Sequence, residues 1–457
     1  MLEVHFAKFM RLKTLVASQN RLTLEVSDNW TPPFQLNTLV LGSWNLGSKF
    51  PSWLYSQKQL LSLDISNTGI IDAVPTWFWN LSSQFDYLNI SHNQIYGEFP
   101  HIPLILPFLS TIDVSSNNFT GPLPCISSNV TFLDLSNNLL SGSISHFLCY
   151  KMNEPKFMEF LNLEKNLLSG KISNCWMKWQ SLFVLNLRNN NFTGKIPASI
   201  GSLIYRSLHL YNNKFSRKLL FSLKNGKDLS IIDIGKNEFD GSIPKWIGHR
   251  LSSLMILILR SNNFYGQIPN ELCALTSLQI LDLSHNKLFG SIPKCVNNFI
   301  TMARNNNSNY PISFAVVSLY YSYGPVESEL LVIKGKPLEY STTLQLVNII
   351  DLSNNNLSGE IPKEVASLQG LQSLNLSFNI LTGRILENIG DMRSIESIDF
   401  SINQLSGQIP QSMSTLTYLS HLNLSNNKLI GESLQALSYK ASGHPVFWKK
   451  ALWTSTY

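Results

Sequence analysis

Five cysteines are the residues of this 457-residue chain best placed for covalent chemistry. Cys149 lies eleven residues after Asn138 and Cys175 nine after Asn166; Cys273 and Cys295 stand at the same offsets from Asn262 and Asn286. Matched offsets put each pair at matched places on neighbouring turns of chain. Stacked strands are roughly 4.8 Å apart, inside the about 4.4 to 6.8 Å between Cα atoms that a disulfide accepts. Disulfides Cys149–Cys175 and Cys273–Cys295 are therefore expected, with buried free thiols serving as small apolar residues as the alternative. Each bridge would be worth about 3 kcal/mol and would place the protein outside the cytosol. Cys125 is left without an evident partner.

No other constellation assembles chemistry. The chain lacks a G-x-S-x-G elbow, a GxxxxGK[ST] phosphate loop, an H-E-x-x-H pair and the kinase Gly-rich and H-R-D motifs, so no enzyme, cofactor or metal site is expected. The nine histidines are scattered, and His92, His209 and His285 are expected to be solvated at the outward edge of strands. Asp282, Asp351 and Asp399 recur between apolar residues as part of a repeat, not as a catalytic pair. Charged residues make up 14% and the net +6 is diffuse. That excludes a nucleic-acid partner and supports only a mild preference for acidic surfaces or cell-wall polymers.

The elements that must position these residues follow from one unit. The stretch from Leu278 to Cys295 has the pattern LxxLxLxxNxLxGxIP, and positions equivalent to Asn286 recur sixteen times. They are Asn20, Trp44, Thr68, Asn93, Asn117, Asn138, Asn166, Asn190, Asn213, Asn237, Asn262, Asn286, Asn355, Asn379, Asn403 and Asn427. Most steps are 23 to 25 residues, the period of a leucine-rich-repeat solenoid, in which each coil buries its apolar face on the next. The expected fold is α/β, with Leu-x-Leu strands forming a curved parallel sheet on the concave face. Within each strand Leu281 and Leu283 point inward and Asp282 outward. The Asn turns into the chain and pairs backbone groups cut off from water; Thr68 keeps one such bond and Trp44 only a donor.

The rhythm divides the chain. Residues 1–298 hold about twelve repeats, 299–346 form a non-repeat island, 347–431 hold four more repeats, and 432–457 break the pattern. Residues 1–10 have no signal-peptide core, and no cap precedes the first repeat. The island is too polar and interrupted for a membrane span, and its tyrosines favour an ordered segment folded on the inner face. In the tail, the nucleotides for residues 446–457 read one base on could encode FFGRKLCGPPL, so a frameshift is expected there.

Between Asn166 and Asn262 the outward residues after Leu-x-Leu change from Ser and Asn to Glu164, Lys165, Arg188, Tyr211, Lys236 and Arg260, with His209 beside them. Tyrosine and arginine dominate interface energetics. These residues, with Tyr320, Tyr321, Tyr323 and Lys334 of the island, are the expected ligand-binding surface. Glycosylation sequons stand at Asn29, Asn80, Asn89, Asn118, Asn129, Asn191, Asn306, Asn356, Asn375 and Asn423.

The spacers Gly359-Glu360-Ile361-Pro362 and Gly407-Gln408-Ile409-Pro410 are similar to the plant extracellular class of repeat. Long array, island with Lys334-Gly335 and Glu339-Tyr340, then four repeats: this order resembles the C-terminal half of the ectodomain of plant receptor-like proteins, the family of Cf-type resistance proteins and fungal-xylanase receptors. The phrases SHFLCYKMNEP, LCALTSLQILDLSHNKLFGSIPKC and LSHLNLSNNKL carry the resemblance over about residues 12–431. It implies a non-enzymatic plant defence receptor on the extracellular side of the plasma membrane. Its ligand would be a microbial or host-derived peptide, protein or glycan, and it would signal through co-receptor and adaptor receptor kinases. Membrane attachment would need a C-terminal span that this sequence does not contain. One alternative is a secreted inhibitor of a microbial cell-wall-degrading enzyme, disfavoured because such inhibitors are short uninterrupted arrays. A truncated receptor fragment without function is another.

Overall fold

The computed structural model describes residues 1–81, 85–99, 110–151, 153–203, 206–219, 221–304, 328–341 and 343–430. Sixteen short strands, from Thr14–Val16 to His421–Asn423, form one parallel sheet that follows the repeats in order. Its register is constant: Ile232 lies opposite Leu257, which lies opposite Leu281, which lies opposite Ile350. The last of these pairings crosses the island, so the inserted chain leaves the sheet unbroken. A second parallel sheet of eleven strands, from Tyr96–Glu98 to Ile380–Thr382, is built from the residues just after each ladder asparagine. The molecule is a leucine-rich-repeat solenoid.

Alternation explains the core. In strand Ile280–Asp282 and the residue after it, Leu281 and Leu283 are buried in one continuous core that runs from Phe6 to Leu416. Phe192, Phe215, Phe239 and Phe264 stack through that core with ring centroids 6.1, 6.2 and 6.4 Å apart.

Each ladder asparagine closes the turn that follows its strand. Asn262 donates to the carbonyls of Leu259 (3.0 Å) and Arg260 (3.2 Å) in its own coil and of Ile234 (3.0 Å) in the preceding one. Its Oδ1 accepts from the Phe239 N–H at 3.0 Å. An amide is the side chain that can do both. Where it is replaced, the ladder thins: Thr68 Oγ1 donates to Ile65 O at 2.8 Å and Trp44 Nε1 to Ala17 O at 2.6 Å. The residue before each asparagine is left-handed, as at Lys165 (φ 51°), Lys236 (φ 51°) and His285 (φ 52°).

After the Ile-Pro step, proline's fixed φ starts a single 3-10 turn, as at Asn270–Ala274 after Pro269 and Lys363–Ser367 after Pro362. Cys149 is bonded to Cys175 and Cys273 to Cys295, with Cα separations of 5.4 and 5.8 Å. The Cys125 thiol takes part in neither disulfide and is buried, its Sγ 3.0 Å from His146 Nε2. Among the described residues no helix is long and apolar enough to cross a membrane. The irregular tail beyond residue 430 and the expected frameshift lie outside the described residues.

Candidate functional site

The described residues of the island form a short helix, Ile300–Ala303, and then an antiparallel hairpin, Glu329–Ile333 paired with Lys336–Tyr340. Its two-residue turn is Lys334-Gly335, both left-handed (φ 55° and 71°), the backbone that a tight hairpin turn requires. The hairpin lies on the concave face of the large sheet. Leu331, Leu344 and Val347 pack with Ile231, Ile256, Ile258, Ile280 and Ile349, all at most 6% exposed, into a second apolar cluster. Those isoleucines occupy outward strand positions. On the two flanking strands the same register is polar, with Ser207 opposite Ile231 and Ser373 opposite Ile349. Their presence explains why the hairpin sits here.

At one end of this cluster the hairpin inserts a carboxylate. Glu329 is fully buried and meets Arg188 Nη2, while His209 Nδ1 lies 3.1 Å from its Oε1. Arg188 also donates through Nε (3.1 Å) and Nη2 (2.8 Å) to Asp233 Oδ2, and through Nη1 (2.8 Å) to the Ser328 carbonyl. Burial works against the Arg188 charge, but Glu329 and Asp233 outweigh it and raise its pKa. Burial likewise pushes the Asp233 carboxyl up, with Arg188 opposing.

A second arginine and carboxylate pair sits further along, Arg260 lying three coils beyond Arg188. Arg260 Cζ is 5.0 Å from the Tyr211 ring centroid, and its Nη1 is 3.7 Å from Asp282 Oδ2. A Cβ at Gly235 would come within 3.0 Å of Tyr211 and 3.1 Å of Arg260, so the glycine gives the stacked pair its room. At the hairpin tip Lys334 Nζ reaches Glu396 Oε2 at 3.4 Å.

Several expectations change. His209 is 1% exposed, whereas His92 and His285 are exposed; the hairpin lies over the first and not over the other two. Arg188 and Arg260 are each 6% exposed: Arg188 joins the face to the island through Glu329 and the Ser328 carbonyl, and Arg260 is engaged with Asp282 and Tyr211. Lys165 and Lys236 are exposed at their left-handed turn positions, and Tyr211 is half-buried. Glu164 is half-buried and accepts from Asn186 (2.9 Å) and Asn189 (3.1 Å). Burial opposes its charge, yet Arg188 and these amides lower its pKa. Tyr320, Tyr321 and Tyr323 lie outside the described residues.

Of the sequons, Asn29, Asn80, Asn118, Asn191 and Asn356 are exposed, and Asn89, Asn129, Asn375 and Asn423 are half-buried. The Asn375 and Asn423 amides donate to Asp351 and Asp399 on the inner face, each at 3.1 Å. Asn306 lies outside the described residues.

His209, Asp233 and Glu329 offer one donor atom each within 4.8 Å of one another, a set that resembles a metal site. The Arg188 guanidinium already bridges both carboxylates, so the cluster is built as an ion-pair network.

Sequence reasoning missed Glu329, Asp233 and a second feature of the face. Phe132 and Phe160 stack on adjacent strands, with centroids 4.3 Å apart and planes at 3°, and Val184 continues the row beside Phe160. Phe157 and Phe183, on the same stretch of coils, are exposed at 44% and 42%. Neither Phe132 nor Phe160 belongs to the continuous core. The signal was legible: aromatic residues stand at strand positions where a polar residue is the rule.

A solenoid with plant-type spacers, inter-coil disulfides and an island docked on its inner face defines a leucine-rich-repeat ectodomain of plant type. The Leucine Rich Repeat family model matches residues 129–150, 181–203, 277–299, 347–368, 370–392 and 418–439. The chain is 44% identical over 374 residues to receptor-like protein EIX2 of Solanum lycopersicum, covering 81% of this chain and 36% of that protein. It is 33% identical over 380 residues to receptor-like protein 35 of Arabidopsis thaliana, covering 79% of this chain and 36% of that one. The chain belongs to the plant leucine-rich-repeat receptor-like proteins and spans about a third of the length of these relatives.

Among solved structures it is similar to the Arabidopsis receptor kinase HAESA in complex with the peptide hormone IDA and the co-receptor SERK1. The TM-score is 0.67 and the identity 26%, over 95% of this chain and 73% of that one. The plant peptide hormone receptor RGFR1 in complex with RGF2, at TM-score 0.69 and 24% identity over 92% of this chain and 67% of that one, shares the fold.

Proposed function

We propose that this chain is the ligand-recognition part of a plant cell-surface immune receptor, non-enzymatic, whose whole protein signals through partner kinases at the plasma membrane. One observation carries the reading. Beside the docked hairpin the inner face changes from a Ser, Thr and Asn surface to the Phe132–Phe160 stack, and Lys165 on the Phe160 coil and Phe183, Arg206 and Lys236 on the next three coils are exposed. Aromatic anchors with cationic neighbours suit a protein or peptide ligand that brings an apolar side chain flanked by acidic groups. The disulfides agree with an extracellular location, and HAESA, a structural neighbour, was solved with a peptide hormone and a co-receptor.

The test is a chimera in which this chain replaces the matching segment of the tomato relative EIX2, expressed in leaf cells and challenged with fractionated microbial culture filtrates. A filtrate that triggers an oxidative burst through the chimera should fail when Phe132→Ser and Phe160→Ser are introduced, with the chain still folded and exported. A burst of full size in the double variant would move the ligand elsewhere, and no burst with any fraction would contradict the immune reading.

A further inference from the structure

We propose that Asn118 and Asn356 carry N-linked glycans whose first sugar is seated on an exposed aromatic ring of the preceding coil, Tyr96 for Asn118 and Phe289 for Asn356. The inference rests on the extracellular reading above, because the modification requires passage through the secretory pathway.

The argument starts in the second parallel sheet. There the residues one and three after each ladder asparagine point outward and the one between them is buried, as Phe119 and Leu288 are. The third residue is usually small and polar, as Thr120, Ser169, Thr193 and Ser358 are. Tyr96 and Phe289 depart from that rule, and each is 49% exposed. Register gives them a shared neighbour: Tyr96 lies opposite Asn118, and Phe289 opposite Asn356. Residues opposite each other in parallel strands point to the same side, about 4.8 Å apart. Each ring therefore stands beside the amide of an N-x-S/T sequon, Asn118-Phe119-Thr120 or Asn356-Leu357-Ser358.

The two amides are free to react. Both asparagines are exposed, and neither side chain has a hydrogen-bond partner among the described residues. On the inner face, by contrast, the Asn375 and Asn423 amides are held by Asp351 and Asp399. The transfer is a substitution with no redox change. The Asn Nδ2 attacks the anomeric carbon of the first N-acetylglucosamine of a lipid-diphosphate-linked oligosaccharide. A C–N bond replaces the C–O bond to phosphate, the lipid diphosphate leaves with the electron pair, and the amide gives up one proton. That sugar then presents a face of C–H bonds made electron-poor by the ring oxygens. The face of an aromatic ring is electron-rich, so the two stack while the sugar's hydroxyls stay in water.

The sheet supplies its own references. Asn191 heads a sequon at the same repeat position but lies opposite Ser169, so a glycan there has no ring beneath it. Tyr265 is an exposed ring opposite Lys287, with no sequon beside it.

The test uses the whole chain secreted from plant cells, with site occupancy read by glycopeptide mass spectrometry and local opening by hydrogen exchange. Asn118 and Asn356 should be occupied. Asn118→Gln should raise the opening of residues 96–98, and Asn356→Gln that of residues 287–290, by about threefold to tenfold, the ratio given by a contact of aromatic-pair strength. In Tyr96→Ser and Phe289→Ser chains the same changes should have no effect, while Tyr96→Phe, which keeps the ring face, should retain it. Asn191→Gln should leave residues 167–171 unchanged. Bare Asn118 and Asn356 in a chain glycosylated at Asn191, or an equal effect of Asn118→Gln with and without the Tyr96 ring, would overturn the proposal. Should Tyr96→Ser fail to be secreted, the Phe289 and Asn356 pair decides by the same comparison. A chain that never enters the secretory pathway would overturn the proposal together with the extracellular reading. No ligand is used, so bare sequons in secreted chain leave the ligand assignment standing, and failure of the chimera leaves the glycans standing.

Discussion

Arg188 shows how far a residue's type can be read without its neighbours. Its charge and its place after Leu-x-Leu mark it as unusual in a Ser and Asn surface, and that much is visible in sequence. What it does depends on Glu329, which lies 141 residues away and reaches it only because the island folds back. Strands Ile231–Asp233, Ile256–Ile258 and Ile280–Asp282 held the missing clue, since isoleucine at an outward position is costly unless something covers it. Replacing Arg188 by Met leaves Asp233 and Glu329 buried without a cation, a loss of about 3–5 kcal/mol. Residues 329–340 of that variant should become open to limited proteolysis at pH 6 while the array resists. An uncut hairpin would show that the apolar contacts alone seat it.

The elements were more legible than the site, because their rules are local. A two-residue alternation, an amide after each strand and proline before each 3-10 turn recur in almost every coil, so the strands, ladder and disulfide register all follow from spacing. The inner-face carboxylates are the part that spacing does not price. Burial pushes the Asp351 carboxyl up to about 7, and neighbouring Asp282 adds to the shift. The folded state therefore holds a proton that the unfolded chain, with an ordinary value of about 3.9, has already lost. Stability contributed in acid should decline as the pH rises from about 4 and be gone above 7, by on the order of 2 kcal/mol between pH 5 and 8. Asp351→Asn, which places at this rung the residue already found at Asn375, should flatten that decline in thermal unfolding curves taken at pH 5 and pH 8. An unchanged slope in the variant would mean that the carboxyl is not protonated in the fold.

At the scale of the whole molecule, the solenoid is a scaffold whose inner face is divided. From Ile231 to Ile349 it is covered by the hairpin, and around Phe132 and Phe160 it presents an aromatic row, Phe132 half-buried and Phe160 8% exposed. Where the hairpin lands cannot be read from any single repeat, because an inserted segment spans several coils. Its far limit is the contact between Lys334 and Glu396, at 3.4 Å between residues 62 apart in the chain. Zero-length carbodiimide coupling followed by peptide mass spectrometry tests this placement most directly, with Lys245 and Glu271, 2.8 Å apart within the array, as the positive control. The account predicts an isopeptide link between Lys334 and Glu396 at a yield comparable to the control. Control coupling with Lys334 joined to carboxylates outside the inner face, or left unlinked, would contradict it.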